Sequence, residues 1–446
     1  MKKISLLFSF ILLAKFSFSQ LNQLQRERLD SLFTILDENN KLQGSVAIMK
    51  NGQLLYNIQT GILGKGVAEK PNINTAYRIG SITKMFTAAM IFQLIDEKKL
   101  KLSDSLYKFF PKINNAQKIT IANMLEHRSG IHNFTDDENY LEYNWQAKTR
   151  NEMLALLEKM PSDFEPDAET RYSNSNYVLL GYIIEEITKK SYANEIIFRI
   201  NKKCDLKLTY QGIEIRNEKN EASSFVYEKR SWNPSTETSM TIPGGAGAIE
   251  SNPLELCKFI TALFQGKIIS EVSLLEMKKF NERVGRGVFQ MPFYKHVGLG
   301  HNGGIDGFVS NVVYFPHDSV SFAITSNAMN TNFNDVLIGM LSIFYNRAYS
   351  LPVFSNIVLN ENKLIAYEGN YSSSDLPLQI KISADGSVLS AQATGQPKFD
   401  LDTESETVFK YDRAGLKIIF KKENEKVDEF VLEQGGGKFL FKKDKK

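Results

Sequence analysis

Ser81 and Lys84 stand three residues apart in an almost continuously apolar run, YRIGSITKMFTAAMIFQLI (residues 77–95). On a helix that spacing puts both side chains on one face. A serine hydroxyl is a poor nucleophile until a neighbouring base takes its proton. A lysine can be that base once burial disfavours its charge and lowers its pKa toward neutrality. An ammonium in so greasy a helix is costly unless it is paired or put to use, so its position asks for a role. Gly80 allows a tight turn ahead of Ser81, which then sits at or near the helix N-terminus, where free N–H groups favour negative charge. The spacing alone is weak, because Ser105 and Lys108 repeat it in a loop-like stretch.

Two further segments supply context. FEPDAETRYSNSNYVLLGYIIEEIT (residues 164–188) places Tyr172 and Asn174 ahead of a second apolar helix. A phenol beside a lysine can exchange protons with it and hand one to a leaving group, and a carboxamide can hold the lysine while donating to substrate. The same tripeptide pattern recurs at Tyr192 and Asn194, and the plain alternative is an aromatic opening a helix with Ser173 or Asn174 as N-cap. VGLGHNGGIDGFVSNVVYF (residues 297–315) carries His301, Asn302, Gly303 and Gly304 ahead of a strand. Paired glycines suit close approach of a ligand to backbone, and an N–H there, with that of Ser81, would make an oxyanion hole. The alternative is a glycine-rich bulge with an exposed histidine. His127, in LEHRSGI, reads as a structural histidine bonded to backbone, and His132, His296 and His317 lack ligand-like spacing.

These residues need a scaffold. SVAIMKNGQLLYNIQTG (residues 45–61) predicts two strands joined at Asn51-Gly52, and VVYFPHDSVSFAITSN (residues 312–327) a second hairpin turning near Pro316-His317-Asp318. FNDVLIGMLSIFYNRAY (residues 333–349) predicts a closing helix, and a loop-rich helical region runs to about residue 205. Strands at both ends with helices between predict an α/β (α+β) unit: an antiparallel sheet whose first and last strands lie together, flanked by helices, with an all-helical subdomain. Beyond Pro352 the texture changes. LQIKISADGSVLSAQA and GLKIIFKKENEKVDEFVLEQGGGKFLF alternate apolar and polar residues around turn signals, which predicts a small all-β, barrel-like domain over residues 360–446. It has no His and no Cys and reads as a stabilising or docking module.

A length of 446 residues exceeds one ordinary core, and 42% hydrophobic with 24% charged residues is a soluble globular composition. MKKISLLFSFILLAKFSFSQ opens with Lys2 and Lys3, continues apolar and ends in Ser17-Phe18-Ser19, which predicts a signal peptide over residues 1–19, cut before Gln20, and a periplasmic or secreted protein. The run is too short to span a bilayer, which takes about 20 apolar residues, and no later segment is expected to do so. Without those residues, which include three lysines and no acid, the chain has 51 basic and 51 acidic side chains. That balance argues against nucleic acid as a partner. Cys204 and Cys257 are too few for a disulfide framework, and sequence does not decide whether they are bridged. No His-Glu-x-x-His occurs and five histidines are scattered, so no metal or other cofactor is expected.

Taken together, SITK, YSN and HNGG, in this order and roughly 90 and 130 residues apart, resemble the serine β-lactamase and penicillin-binding protein superfamily. The match is to the class C-like branch, which also holds D-alanyl-D-alanine carboxypeptidases, D-aminopeptidases and esterases. YRIGSITKMFTAAMIFQLIDEKKLKLSDSL, ITIANMLEHRSGI, GAGAIESNPLELCKFITALF and GHNGGIDGF read like that branch, over about residues 30–345. The resemblance implies Ser81 as acylated nucleophile, Lys84 as its base and Tyr172 as proton shuttle for the leaving group and the deacylating water. It implies Asn174 as the group orienting substrate and lysine, the Ser81 and Gly304 N–H groups as oxyanion hole, and His301, Asn302, Gly303 and Gly304 as a substrate-binding strand. His301 takes the place of the Lys, and Asn302 of the Thr, in the Lys-Thr-Gly of β-lactamases. Both changes weaken recognition of a substrate carboxylate, since a histidine is largely uncharged at neutral pH. His at that position still occurs in D,D-carboxypeptidases of the branch. Arg286, in VGRGVF, either supplies the missing charge from a neighbouring strand or is a solvated strand residue, as most arginines are. The C-terminal part is similar to lipocalin-like β domains appended to such hydrolases, with YEGNY (residues 367–371) opening it.

The expected organisation is a signal peptide over 1–19, a hydrolase domain over 20–350 and a β domain over 360–446. The expected activity is that of an exported serine hydrolase acting through an acyl-enzyme on amide or ester bonds of a small-molecule or peptide substrate, such as a cell-wall peptide or β-lactam. A D-alanyl-D-alanine carboxypeptidase or related D-amino-acid peptide hydrolase comes first. A class C-like β-lactamase or esterase is the alternative, and a non-catalytic regulatory protein that kept the fold comes behind both.

Overall fold

The computed structural model of the chain describes residues 21–355, 357–423 and 426–444. The expected leader, residues 1–19, lies outside the described residues. Among these no helix is long and apolar enough to cross a membrane.

An antiparallel sheet runs in the order Gln53–Thr60, Leu42–Lys50, Val320–Met329, Phe308–Phe315, His296–Ile305, Phe289–Phe293. The first hairpin turns at Asn51 and Gly52, whose φ angles of 52° and 77° are the two left-handed conformations a two-residue turn needs. Leu42–Lys50 pairs with Val320–Met329, Val46 opposite Ile324, so the first and last long strands lie together as the sequence predicts. Strand alternation separates the faces. Val46, Ile48, Phe322 and Ile324 meet Leu29, Leu32 and Phe33 of the helix Gln23–Glu38 and Met340 of the helix Phe333–Phe344. Ala47, Met49, Val312 and Ala323 turn the other way, onto the helices Thr83–Asp96, Asn174–Thr188 and Pro253–Phe264. Residues 83–94 are buried without a break, which is why that helix is apolar on every side. The closing helix, predicted to residue 349, stops at Phe344, and Asn346 follows with a left-handed φ of 52°.

Beyond it, eight antiparallel strands from Gly369–Ser372 to Gly437–Lys443 close into a barrel by pairing of the first with the last. Tyr371, Phe409, Phe420, Phe430 and Phe441 fill it, ring centroids 4.9–6.1 Å apart. Eight strands is the size at which side chains alone fill the interior. Two elements carry no sequence prediction: a three-stranded sheet of Tyr77–Arg78, Ile249–Ser251 and Tyr210–Gln211, and a hairpin of Phe225–Glu228 and Ser231–Pro234. Cys204 and Cys257 are both free.

Candidate active site

Ser81 stands on a 3-10 turn, Gly80–Ile82, that runs straight into the helix Thr83–Asp96. Gly80 has a φ of 49°, and a β-carbon there would lie 2.8 Å from Gly304 N. Gly303 presses from the other side, where a β-carbon would sit 2.0 Å from Ile79 O. Two glycines therefore let the serine-bearing turn lie directly on the His296–Ile305 strand. A third close approach positions the opposite wall. Gly181, on the helix Asn174–Thr188, faces Gly245 so closely that a β-carbon on either would fall within 3.1 Å of the other's Cα. This brings the turn Gly244–Gly247 up to the serine helix.

Lys84 is fully buried at the centre. Its Nζ lies 2.9 Å from Ser81 Oγ, 2.7 Å from Asn174 Oδ1 and 2.8 Å from Ala246 O. No carboxylate is among these partners, and burial drives the amine's pKa well below the ordinary 10.5. A neutral amine has two N–H donors and one lone pair. Two of its three partners are carbonyl oxygens, which only accept, so the lone pair is left for the Ser81 hydroxyl. Tyr172 Oη donates to Ser81 Oγ at 2.8 Å, and burial raises the phenol's pKa, so it keeps its proton. The hydrogen bonds thus run from Tyr172 through Ser81 to Lys84. A serine so placed can pass its proton to the amine as it attacks a carbonyl.

The surroundings hold these groups in place. Asn133 Oδ1 accepts from the Asn174 backbone N–H at 2.9 Å and from its Nδ2 at 3.2 Å, and Thr135 Oγ1 accepts from Nδ2 at 3.1 Å. The Asn174 carbonyl is thereby turned to Lys84. His127 Nδ1 accepts from the Ser173 N–H at 3.1 Å, the backbone bond expected of a structural histidine.

His301 is 3% exposed, on a strand paired through Gly304, so the exposed-bulge alternative does not hold. Its Nδ1 bonds Asn302 O, which fixes the proton on Nδ1, and its Nε2 has no hydrogen-bond partner. Burial pushes its pKa down to about 3. Asn302 does not line the cleft, and its Oδ1 accepts from Asn311 Nδ2 at 2.6 Å. Arg286 neither reaches the cleft nor is solvated. It is 9% exposed and bound to Glu126 at 2.6 Å and to Glu276. The second Ser-x-x-Lys is a helix cap: Ser105 accepts from Tyr107 N and donates to Ala116 O.

Ser81, Asn174 and Gly304 open on a cleft of about 660 Å³. None of its lining residues is Lys, Arg or His, and its one carboxylate, Asp306, accepts from Arg78 Nη1 at 2.9 Å and from Thr238 Oγ1 at 2.6 Å. Among the described residues no three His, Cys, Asp or Glu side chains converge as a metal site. The structure therefore brings Ser81, Lys84, Tyr172, Asn174 and Gly304 together, and adds Asn133, Thr135, Ala246 and Arg78, which no motif marks. Arg78 does leave a trace in sequence, as a lone cation between Tyr77 and Ile79 that had to find partners.

Comparison with known proteins bears on the fold that carries these residues. The teichoic acid D-alanine hydrolase of Staphylococcus aureus is 26% identical over 317 residues, covering 67% of this chain and 76% of that protein. The D-amino acid amidase of Ochrobactrum anthropi SV3 superposes with a TM-score of 0.64 at 24% identity, over 73% of this chain and 99% of its own. The octameric penicillin-binding protein homologue of Pyrococcus abyssi reaches the same TM-score, 0.64, at 22% identity over 93% of this chain and 99% of its own. At these identities the superpositions speak to the fold. A family model described as Beta-lactamase matches residues 29–342, nearly the whole span from the first helix to the closing one. The chain belongs to the beta-lactamase family of serine hydrolases.

Proposed function

We propose that the protein hydrolyses D-aminoacyl esters or amides through an acyl-enzyme on Ser81, and that its substrates carry no carboxylate next to the scissile bond. The observation that carries the reading is the neutral Lys84 amine, buried 2.9 Å from Ser81 Oγ with its two other contacts already spent on carbonyl oxygens. Ser81 Oγ attacks the substrate carbonyl and its proton moves to Lys84 Nζ. The N–H groups of Ser81 and Gly304 receive the oxyanion. Tyr172 gives its proton to the leaving oxygen or nitrogen as the bond to carbon breaks, and recovers one from Lys84. Water then attacks the acyl-serine with its proton passing to the same phenol–amine pair, and Ser81 Oγ takes that proton back as its bond to the acyl carbon breaks and the acid leaves.

The substrate class rests on charge. A carboxylate-terminated substrate, such as a D-alanyl-D-alanine peptide or a β-lactam, needs a cation to meet it. The residues lining the cleft offer none, and His301, at the place of the usual Lys, is buried and neutral. Two of the proteins this chain is similar to, a teichoic acid D-alanine hydrolase and a D-amino acid amidase, fit this choice. Export directed by residues 1–19 completes the reading, and N-terminal sequencing of the released protein should begin at Gln20.

The test is a panel of D-alanine methyl ester, D-phenylalanine amide, diacetyl-L-lysyl-D-alanyl-D-alanine and nitrocefin, with intact-protein mass recorded during turnover. The expected result is an acyl adduct on Ser81, lost in Ser81→Ala, and kcat/KM for the ester and amide at least about ten-fold above the two carboxylate-bearing substrates. Absence of any Ser81 adduct would overturn the enzymatic reading in favour of a non-catalytic protein. A preference for the peptide or nitrocefin would overturn the substrate class alone.

A further inference from the structure

The hairpin of Phe225–Glu228 and Ser231–Pro234 stands between the Ser81 cleft and the barrel. Val226 lines both the cleft that opens on Ser81 and a second cleft, of about 390 Å³, whose other wall is barrel strand. Pro234 and the two residues after it, Ser235 and Thr236, continue the wall on the Ser81 side.

A two-stranded hairpin is marginal by itself, and this one meets the main sheet only at its base, where Phe225 bridges Ala328. There it is fixed: Gly307 packs so closely that a β-carbon would lie 2.6 Å from Phe225 O, and Asn327 Nδ2 donates to Ser223 O at 2.8 Å. The tip is another matter. Its turn residues, Lys229 and Arg230, take φ angles of 49° and 61°, a conformation that side-chain-bearing residues adopt at a cost. What receives this turn is the barrel, for Asp400 Oδ2 accepts from the Lys229 backbone N–H at 2.9 Å. Trp232 stacks edge-on to Tyr227, centroids 4.9 Å apart, and donates to Asn40 Oδ1 at 3.1 Å. The next residue, Lys41, is 5% exposed and bound to Asp402 and Asp412 of the barrel at 2.5 and 2.8 Å. Barrel, hairpin and cleft wall are thus in series.

We propose that the C-terminal barrel is a specificity element of the Ser81 site: Asp400 holds the hairpin tip, and the hairpin so held fixes the wall at Val226 that bounds the far part of the substrate. Asp400 is a positioning residue in this account and touches no reacting atom. The inference rests on hydrolysis at Ser81 as proposed above. It predicts an effect on substrate fit and none on the chemistry at the serine.

The experiment uses the full chain and two substrates, p-nitrophenyl acetate, which needs only the serine, and D-phenylalanine p-nitroanilide, which extends along the cleft. Asp400→Ala should raise KM for the anilide about three- to ten-fold, the range for losing one ordinary hydrogen bond, with kcat/KM for the acetate within about two-fold of wild type. Asp400→Asn, which keeps an acceptor oxygen, should fall between. Ser390→Ala removes the partner that donates to the same carboxylate from within the barrel at 2.9 Å, and should behave as wild type. A second readout needs no activity. In a Trp145→Phe background Trp232 is the one remaining tryptophan, and Asp400→Ala should increase its quenching by acrylamide while Ser390→Ala does not. The proposal is overturned if Asp400→Ala leaves both the anilide KM and Trp232 quenching unchanged, or if it lowers turnover of both substrates equally. Inactivity of the unaltered protein on both, with no Ser81 adduct, would instead remove the hydrolytic reading beneath it.

Discussion

The imidazole of His127 lies stacked on the ring of Tyr172, centroids 4.4 Å apart and planes 28° from parallel. The same histidine ties down the backbone of the next residue by accepting from Ser173 N–H, so it fixes both the plane and the root of the tyrosine. Burial keeps its pKa well below 6.5. It therefore acts by position and as a neutral ring.

His127→Ala should lower kcat about two- to ten-fold, the worth of one aromatic contact, with KM little changed. The shape of the pH profile should not alter, because His127 does not titrate near neutrality. Tyr172→Phe separates ring from hydroxyl: the stack on His127 stays, and kcat should fall by about 10²-fold or more with the loss of the proton shuttle. A shift in the acid limb of the profile in His127→Ala would instead make His127 a titrating group of the reaction.

Lys84 links activity to pH with a definite sign. The hydrolytic reading needs the free amine, so kcat/KM should fall as pH drops through the lowered pKa of Lys84 and should already be level well below 10.5. Unfolded, the same lysine titrates at the ordinary 10.5. Between the two values the unfolded chain holds a proton that the folded chain lacks, so wild-type stability rises with pH up to about 10.5. Lys84→Met has no such proton. Its stability relative to wild type, from denaturant midpoints, should decline as pH rises from the lowered pKa of Lys84 toward 10.5, while its activity is down by at least about 10³-fold at every pH. A rising activity limb centred near 10.5 would show a solvated amine and contradict the burial argument.

Local chemistry was legible in the sequence, and long-range contact was not. Ser81 and Lys84 can be read because their relation is one turn of one helix, and the apolar run around them says the amine is dry. Tyr172 lies 91 residues from Ser81 in the chain, a separation that follows from no periodicity, and only the resemblance joined them. Asn133, Thr135 and Ala246 work through an amide, a hydroxyl and a backbone carbonyl, groups too common for composition to mark. The alternation of residues 297–305 says that Asn302 and His301 leave opposite faces, but not which face is covered. The main hairpins announce themselves through Asn51-Gly52 and Asp385-Gly386, whereas the 225–234 hairpin turns on Lys229-Arg230, which looks like any exposed charged pair.

Gly303 and Gly304 look alike in sequence and should fail differently. A β-carbon on Gly303 would lie 2.0 Å from Ile79 O and 2.4 Å from Ser310 Oγ, so Gly303→Ala must part the strand from the turn that carries Ser81. It should lose about 1–3 kcal/mol of stability, as overpacked positions do, and most of its activity. A β-carbon on Gly304 meets nothing nearer than Phe308 O at 4.0 Å. Gly304→Ala should therefore keep wild-type stability within about 0.5 kcal/mol and still form the acyl-serine. Thermal denaturation with intact mass on both variants checks the contrast, and equal stability of the two would refute the close packing inferred for Gly303.

Asp306 stands two residues beyond Gly304 and holds a buried cation. Its Oδ2 accepts from Arg78 Nη1 at 2.9 Å and its Oδ1 from the Thr238 N–H and hydroxyl, at 3.1 and 2.6 Å. The Arg78 side chain is 1% exposed, and its other acids compensate it poorly: Glu237 at 3.0 Å is itself 40% exposed, and Glu250, at 3.8 Å, has its pKa raised by burial to about 7. Asp306→Ala leaves the guanidinium short of charge in a dry place and frees the turn after the Gly304 strand. Removing one partner of a buried pair costs about 3 kcal/mol or more, and the hydrolase region's urea transition should move by that amount. The double variant Asp306→Ala with Arg78→Met should recover part of the loss, because the unpaired charge and not the missing contact is the larger penalty. No recovery in the double variant would mean that the Thr238 bonds, rather than the buried charge, account for the role of Asp306.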